Sequence, residues 1–451
     1  MILVSEKNLH TPEAIGILPD GWSWARLDDT SEGVFDCPHS TPKLTERGPF
    51  IVRTQDIITG VFRADRARRV SEETYAKRIA RVTPSRGDLL YSREGTYFGI
   101  AAEVPENTRV CLGQRMVLIR PDNERLDFRF LRFWLNSPVM TAYIHGFRDG
   151  SVAERLNLPT IRALPVLVPP ITEQKAIAEV LCALDGKIEL NLRMNATLDA
   201  MMRTLFQSWF VDFDPVRAKL DGHQPIGTDP ATAALFPNEF EDSELGPIPK
   251  GWGVGRIEDI LTFRRNTLDP SDFSDKFFAH YSLPAFDEGR TPKLERGSAI
   301  KSHKLVVPTD VILLSKLNPH IPRIWLPDIT SGYRAVCSTE FLVAQPKSGI
   351  SREFLFCLFT SSPFTSEYAT LVTGTTGSHQ RVKSESVLQM KITIPPAQII
   401  DRFSRLANVT HGRISRNIRE SATLAALRDA LVPKLLSGKL SVSTMNLRGA
   451  A

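Results

Sequence analysis

The sequence predicts an α/β (α+β) protein: two tandem mixed α/β domains separated by two long helices that form an antiparallel coiled coil, with a pseudo-twofold internal repeat. Three observations predict it. Residues 169–210 open on Pro169-Pro170 and continue for about forty residues without another proline or turn cluster, the pattern of one long helix. Ile177, Leu181, Leu184, Ile188, Leu198, Met202, Leu205 and Trp209 fall on one alternating four-three series, which is a heptad seam. Asn191 and Asn195 fill further positions of that series, and polar residues in a seam fix register and partner orientation. The second observation is that Pro395-Pro396 opens another such stretch 226 positions later. At that offset Asn191-Leu192-Arg193-Met194-Asn195-Ala196-Thr197-Leu198 aligns with Asn417-Ile418-Arg419-Glu420-Ser421-Ala422-Thr423-Leu424. Five of the eight pairs are identical, so a duplication supplies the seam with its own partner, in which Asn417, Leu424 and Leu431 take part. Third, Leu18-Pro19-Asp20-Gly21-Trp22 and Ile248-Pro249-Lys250-Gly251-Trp252 open the two globular stretches, so the repeat begins well before the helices.

In chain order the expected parts are a first domain over 1–168, a first helix over 169–210, a connector over 211–247, a second domain over 248–394, a second helix with a C-terminal motif over 395–440, and a tail over 441–451. In the first domain strands are expected at 50–53, 88–92 and 116–120, bounded by glycine and proline turns. Helices follow at 128–136 and 138–145, the latter with proline at its first position, then a polar loop and an apolar strand at 164–168. The second domain repeats the order, with strands at 310–316 and 341–345 and a loop at 374–383. The connector is rich in Asp, Pro and Gly and is expected to be extended, with one short helix near 230–235.

Composition bounds the function class. With 42% apolar and 24% charged residues the chain is an ordinary soluble globular type. No apolar run approaches the roughly eighteen residues of a membrane span, and no charged region precedes the short apolar start, so the expectation is a cytoplasmic protein with no membrane partner. The five cysteines form no CxxC pair and the nine histidines no ligand spacing; free thiols and no metal site are expected. The net charge of +5 is mild but concentrated, with Arg63-Ala64-Asp65-Arg66-Ala67-Arg68-Arg69, Lys77-Arg78 and Arg264-Arg265 in the globular segments.

These marks together resemble the specificity subunits of type I restriction-modification systems. Leu-Pro-x-Gly-Trp opens the halves, and Pro169-Pro170-Ile171-Thr172-Glu173-Gln174 looks like the family's Pro-Pro-x-x-Glu-Gln helix start. Residues 205–216 look like its central Leu-Phe-x-Ser-Trp-Phe-Val-Asp-Phe-Asp-Pro-Val, and residues 431–440 like its C-terminal end. The resemblance implies two target-recognition domains, each reading half of a bipartite double-stranded DNA target, with the coiled coil setting the spacer and docking two methyltransferase subunits. Restriction/translocase subunits join for cleavage. No cofactor is implied for this chain; S-adenosylmethionine, ATP and Mg belong to the partners. One departure stands out: the second helix starts Pro395-Pro396-Ala397-Gln398-Ile399-Ile400, without Glu-Gln. The rival class is a stand-alone DNA-binding regulator or a coiled-coil scaffold protein.

The residues themselves offer no catalytic motif: no Gly-x-Gly-x-x-Gly after a strand, no Walker loop, no Asn/Asp-Pro-Pro-aromatic methyl-transfer signature. Reading DNA requires cations for phosphates and polar side chains for base edges. Candidates are Arg53, Gln55, Arg93, Glu94, Gln114, Arg115, Arg148 and Arg155 in the first domain, and Lys316, Asn318, His379, Gln380, Arg381 and Lys383 in the second. The loops 148–157 and 374–383 are the strongest, each joining glycine, small polar residues and an arginine just before a helix. Helices of about forty residues at ~1.5 Å each measure about 60 Å, a length suited to spacing two readers along a duplex. Phe206 and Phe210 lie outside the seam, and two readings stand for them: packing against the connector or a recognition domain, or, with the seam residues, a docking face for a methyltransferase subunit.

Overall fold

The computed structural model describes residues 11–58, 60–146, 155–329, 332–373 and 380–442. Both proline-opened stretches are helical, Ile171–Phe210 and Ala397–Leu436, forty residues each. The chain divides into two compact units, and the division falls inside both helices: Met1–Leu190 with Glu420–Ala451 form one, Asn191–Arg419 the other. Each unit thus holds the start of one helix against the end of the other. In the first unit Lys187 meets Glu420 at 3.5 Å and Asp185 meets Arg428 at 2.9 Å. In the second unit Asn417 donates to Asn195 at 2.8 Å, and the Phe206 and Phe403 rings lie 5.5 Å apart. One number rises as the other falls in both units, which is the antiparallel register. The seam asparagines pair with each other, the arrangement that gives a buried polar position its power to fix alignment.

The first unit is built on an antiparallel sheet ordered Ser31–Asp36, Met116–Pro121, Leu89–Ser92, Ala101–Glu103. A second sheet places Leu44–Val52 between Arg68–Val70 and a parallel partner, Val110–Leu112. Helices Phe128–Leu135 and Pro138–His145 cover the first sheet, capped by Asp127 and Ser137. Ser23–Arg26 pairs with Pro165–Val168, closing the unit just before the long helix. Ile177 and Leu181 join this core together with Leu435 and Leu436 from the other helix. Gly438, at φ 68°, packs on Pro19, where a side chain would collide with the proline ring. The C-terminal motif is therefore the seat of the opening turn.

The second unit repeats the plan with two strands added. Leu261–Arg264, Phe341–Pro346, Ile312–Ser315 and Ile324–Trp325 take the order of the first sheet, and Gly253–Arg256 pairs with Lys391–Ile394. Phe277–Tyr281 lies between Lys293–Arg296 and a parallel partner, Arg334–Cys337, as its counterpart does, but Lys304–Val306 and Thr267–Leu268 extend this sheet to five strands. The connector differs from expectation. Beside the short helix Pro230–Ala234 it forms a second one, Asp214–Leu220, entered through Phe213 in the left-handed region at φ 55°.

The repeated Pro-x-Gly-Trp motif is a tight turn. Trp22 and Trp252 donate their backbone N–H to the carbonyls of Pro19 and Pro249 at 3.1 and 3.0 Å, and Gly21 and Gly251 take the positive φ that position requires. The turn delivers each indole to a helix start. In the first unit Trp22 Nε1 donates to Glu173 at 3.0 Å. Gln174, wholly buried, accepts from the N–H of Asp127 at 2.9 Å and donates to the carbonyls of Arg125 and Pro169 at 2.9 and 2.8 Å. Glu-Gln therefore ties the helix to the opening turn and to the cap of the neighbouring helix. In the second unit the same places hold Ile399 and Ile400, both in the apolar core, and Trp252 Nε1 is buried with no partner among the described residues. The missing Glu-Gln thus exchanges hydrogen bonds for apolar contact while the helix stays intact. Glu173→Ala, which strands the Trp22 N–H, is expected to cost about 1–3 kcal/mol. Urea unfolding of the full chain checks this; an unchanged midpoint contradicts the tie.

Candidate nucleic-acid interface

The two central strands end alike. In the first unit Leu89–Ser92 runs into Arg93 and Glu94. Arg93 donates its N–H to the carbonyl of Arg115 at 3.1 Å and accepts from Leu156 at 2.8 Å, and Glu94 forms an isolated bridge with Arg155. In the second unit Ile312–Ser315 runs into Lys316, which donates to the carbonyl of Glu340 at 2.8 Å and accepts from Val382 at 3.1 Å, while Leu317 bridges Arg381. Three stretches distant in sequence meet at one corner in each unit. Arg155 and Arg381 occupy the same place in this frame.

The side chains add charge to that frame. Glu94 lies between Arg115 at 3.5 Å and Arg155 at 4.0 Å, both half exposed. Glu340 receives Arg381 through Nε and Nη2, each at 2.9 Å. The Arg381 hydrogen bond holds the Glu340 carboxyl below the usual range, and Glu340 in turn raises Arg381. Beside the first corner a groove of about 260 Å³ is lined by Thr41, Arg53, Gln55, Gln114 and Arg115 among others. The structure brings four sequence candidates together here. Arg53 is fixed by a two-pronged contact with buried Asp56 at 3.0 and 2.8 Å, and Gln55, with its amide oxygen turned toward it, accepts from Nη1 and Nη2 at 3.1 and 3.0 Å. Gln114 accepts from Thr41 at 3.0 Å. In the second unit Asn318 adopts φ 52°, a conformation asparagine tolerates, and donates its N–H to Gln380 at 2.9 Å; Lys383 is exposed at the start of helix Ser384–Leu388.

A family model described as the type I restriction modification DNA specificity domain matches residues 56–200. The MjaIX specificity subunit of Methanocaldococcus jannaschii is 24% identical over 452 residues, covering 96% of each chain. Along nearly its whole length the chain is similar to type I restriction-modification specificity subunits. The HindI specificity subunit of Haemophilus influenzae is also 24% identical, over 79% of this chain and 87% of that one. The fold agrees with the S subunit from M. genitalium at a TM-score of 0.57 and 13% identity, covering 93% of this chain and 96% of that one.

Several expected site residues of this chain change meaning. Arg93 is a correction: it is 3% exposed and donates to Asp36 at 2.7 Å, so it supports the corner from within and cannot reach a duplex. Asp36, Cys37 and His39 bring donor atoms within 4.8 Å of one another, the one such group among the described residues. The Arg93 guanidinium already neutralises Asp36 there, and burial raises the Cys37 thiol, which opposes the thiolate a metal needs. Phe206 and Phe210 are a second correction. At 3% and 8% exposure, with Met202 and Trp209 also buried, they belong to the core of the second unit, not to an open docking face. Leu184, Ile188, Leu198, Leu205, Leu424 and Leu431 are half-buried seam residues, and Asn191 and Asn417 are buried. Arg148 and His379 lie outside the described residues. In the basic clusters Arg78 proves internal, donating to the carbonyls of Leu112, Ser40 and Pro38.

Sequence reasoning missed Thr41, Asp56 and Glu340. Asp56 carried one signal, lying three residues after Arg53; Thr41 and Glu340 carried none, because their partners are distant in sequence. Among the described residues no helix is long and apolar enough to cross a membrane.

Proposed function

We propose that this specificity subunit reads a bipartite double-stranded DNA target, one half-site per recognition domain, through the corners around Arg155 and Arg381. The observation that carries the reading is the repetition: each half of one chain ends its central strand in the same backbone frame and returns an arginine to it. Gln55, Gln114 and Arg115 in the first domain, and Asn318, Gln380 and Lys383 in the second, supply the amides and cations that read base edges and hold phosphates. Forty-residue helices set the unread spacer, and their remaining exposed faces dock two methyltransferase subunits, to which restriction/translocase subunits are added. S-adenosylmethionine, ATP and Mg serve those partners, and the assembly works in the cytoplasm, where its DNA lies.

Phosphate contacts release counterions, so binding is expected to fall steeply with salt. With six or more contacts, affinity drops roughly a thousandfold between about 50 and 200 mM salt. A fluorescence-anisotropy titration of the complete complex on target DNA tests this. A flat salt dependence removes the phosphate-dominated interface.

A further inference from the structure

Duplication explains why Arg155 and Arg381 stand 226 positions apart in the same frame, but it does not explain the acids beside them. Glu94 follows the central strand, whereas Glu340 precedes the neighbouring strand Phe341–Pro346. By the shared backbone bonds, the place of Glu94 is taken in the second unit by Leu317, and the place of Glu340 is taken in the first by Arg115. The two carboxylates were therefore placed independently, at different positions, beside the same arginine. Shared ancestry predicts nothing of the kind. A requirement of the site does.

A carboxylate at a DNA-reading corner has two physical effects. It repels phosphate, lowering sequence-independent affinity. It also fixes the plane of the arginine: Arg381 gives Glu340 its Nε and Nη2 edge, so the guanidinium cannot swing freely to the nearest phosphate. A held guanidinium plane is what reading the O6 and N7 acceptors of guanine demands, whereas a mobile cation binds backbone indiscriminately. Resting on the bipartite reading above, we propose that Glu340 is a specificity-determining residue that orients Arg381 to read one guanine in its half-site, and that Glu340 and Glu94, each beside the arginine of its own corner, exclude phosphate there.

The test uses the complete complex with its methyltransferase partners and maps methylation by sequencing, for the wild type, Glu340→Gln and Glu94→Gln. Glutamine keeps the size of the side chain and removes its charge. Glu340→Gln is expected to relax one guanine of one half-site, with roughly tenfold or greater loss of discrimination there, and to leave the other half-site unchanged. Glu94→Gln, at a carboxylate that stands 4.0 Å from Arg155 without a hydrogen bond, is expected to act on non-target binding and its salt dependence alone. Both variants bind non-target DNA more tightly at low salt, with a salt slope steeper by about one phosphate contact, a gain that a merely structural role does not produce. Glu340→Asp, which retains the charge, restores at least part of the discrimination. Both half-sites and the salt slope unchanged in a fully assembled Glu340→Gln complex overturn the inference while the bipartite reading stands. A wild-type complex that methylates no two-part motif overturns the reading itself.

Discussion

Phe206→Asp is expected to unfold residues 191–419, not to release a partner from an intact protein. The ring is 3% exposed and meets Phe210, Phe354 and Phe403 at centroid distances of 4.9, 5.4 and 5.5 Å. Removing such a side chain costs about 3–5 kcal/mol through lost burial and the cavity left behind, and the edge-to-face pairs add roughly 0.5–1.5 kcal/mol each. A carboxylate in that space adds an unpaired buried charge. Against a typical total stability of about 5–15 kcal/mol, the second unit does not survive. Met201→Glu, at a position 62% exposed on the same helix, is expected to change stability by less than about 0.5 kcal/mol. Limited proteolysis and thermal melting of the full chain separate the two. A natively melting Phe206→Asp protein contradicts the core assignment.

The long helices were legible because their signal is local: a proline pair, a forty-residue interval free of turns, and a four-three series. The duplicate strands were legible for the same reason, with Leu89–Ser92 and Ile312–Ser315 each bounded by turn residues and apolar up to a closing serine. What the sequence hid depends on distance along the chain. Arg93 read as a free cation at a strand end because its partner Asp36 lies 57 residues earlier. Phe206 and Phe210 read as surplus because a heptad count finds only the facing helix, while Phe354 of helix Arg352–Thr360 covers the flank. The Glu173–Trp22 bond spans 151 residues, so the meaning of Glu-Gln, and of its loss at Ile399-Ile400, emerged only in three dimensions. Helix Asp214–Leu220 was missed because Asp-Pro reads as a turn, whereas here proline sits in the first turn of the helix, where it is tolerated. The arginines 155 and 381 were found by the repeat and Glu94 by its place after a strand, whereas Glu340 was not, since it does not obey the repeat.

The second large effect concerns modularity. Each unit closes its own sheet pair, Ser23–Arg26 with Pro165–Val168 and Gly253–Arg256 with Lys391–Ile394, just before a long helix begins. Residues 248–394 can therefore be replaced by the matching stretch of another specificity subunit at two junctions that lie outside the recognition corner. The expected result is an all-or-none change in one half of the recognised sequence: sites carrying the old half-site lose methylation, those carrying the new one gain it, and the other half persists. Mismatched base pairs cost about 1–3 kcal/mol each, so a half-site of several changed bases is switched completely rather than weakened.

The measurement that tests the central claim most directly is genome-wide methylation mapping of the assembled complex before and after that exchange. Two readers in one chain predict a two-part motif in which the half-site read by residues 248–394 is replaced and the other half stays the same. A motif that changes in both halves, or in neither, contradicts the account.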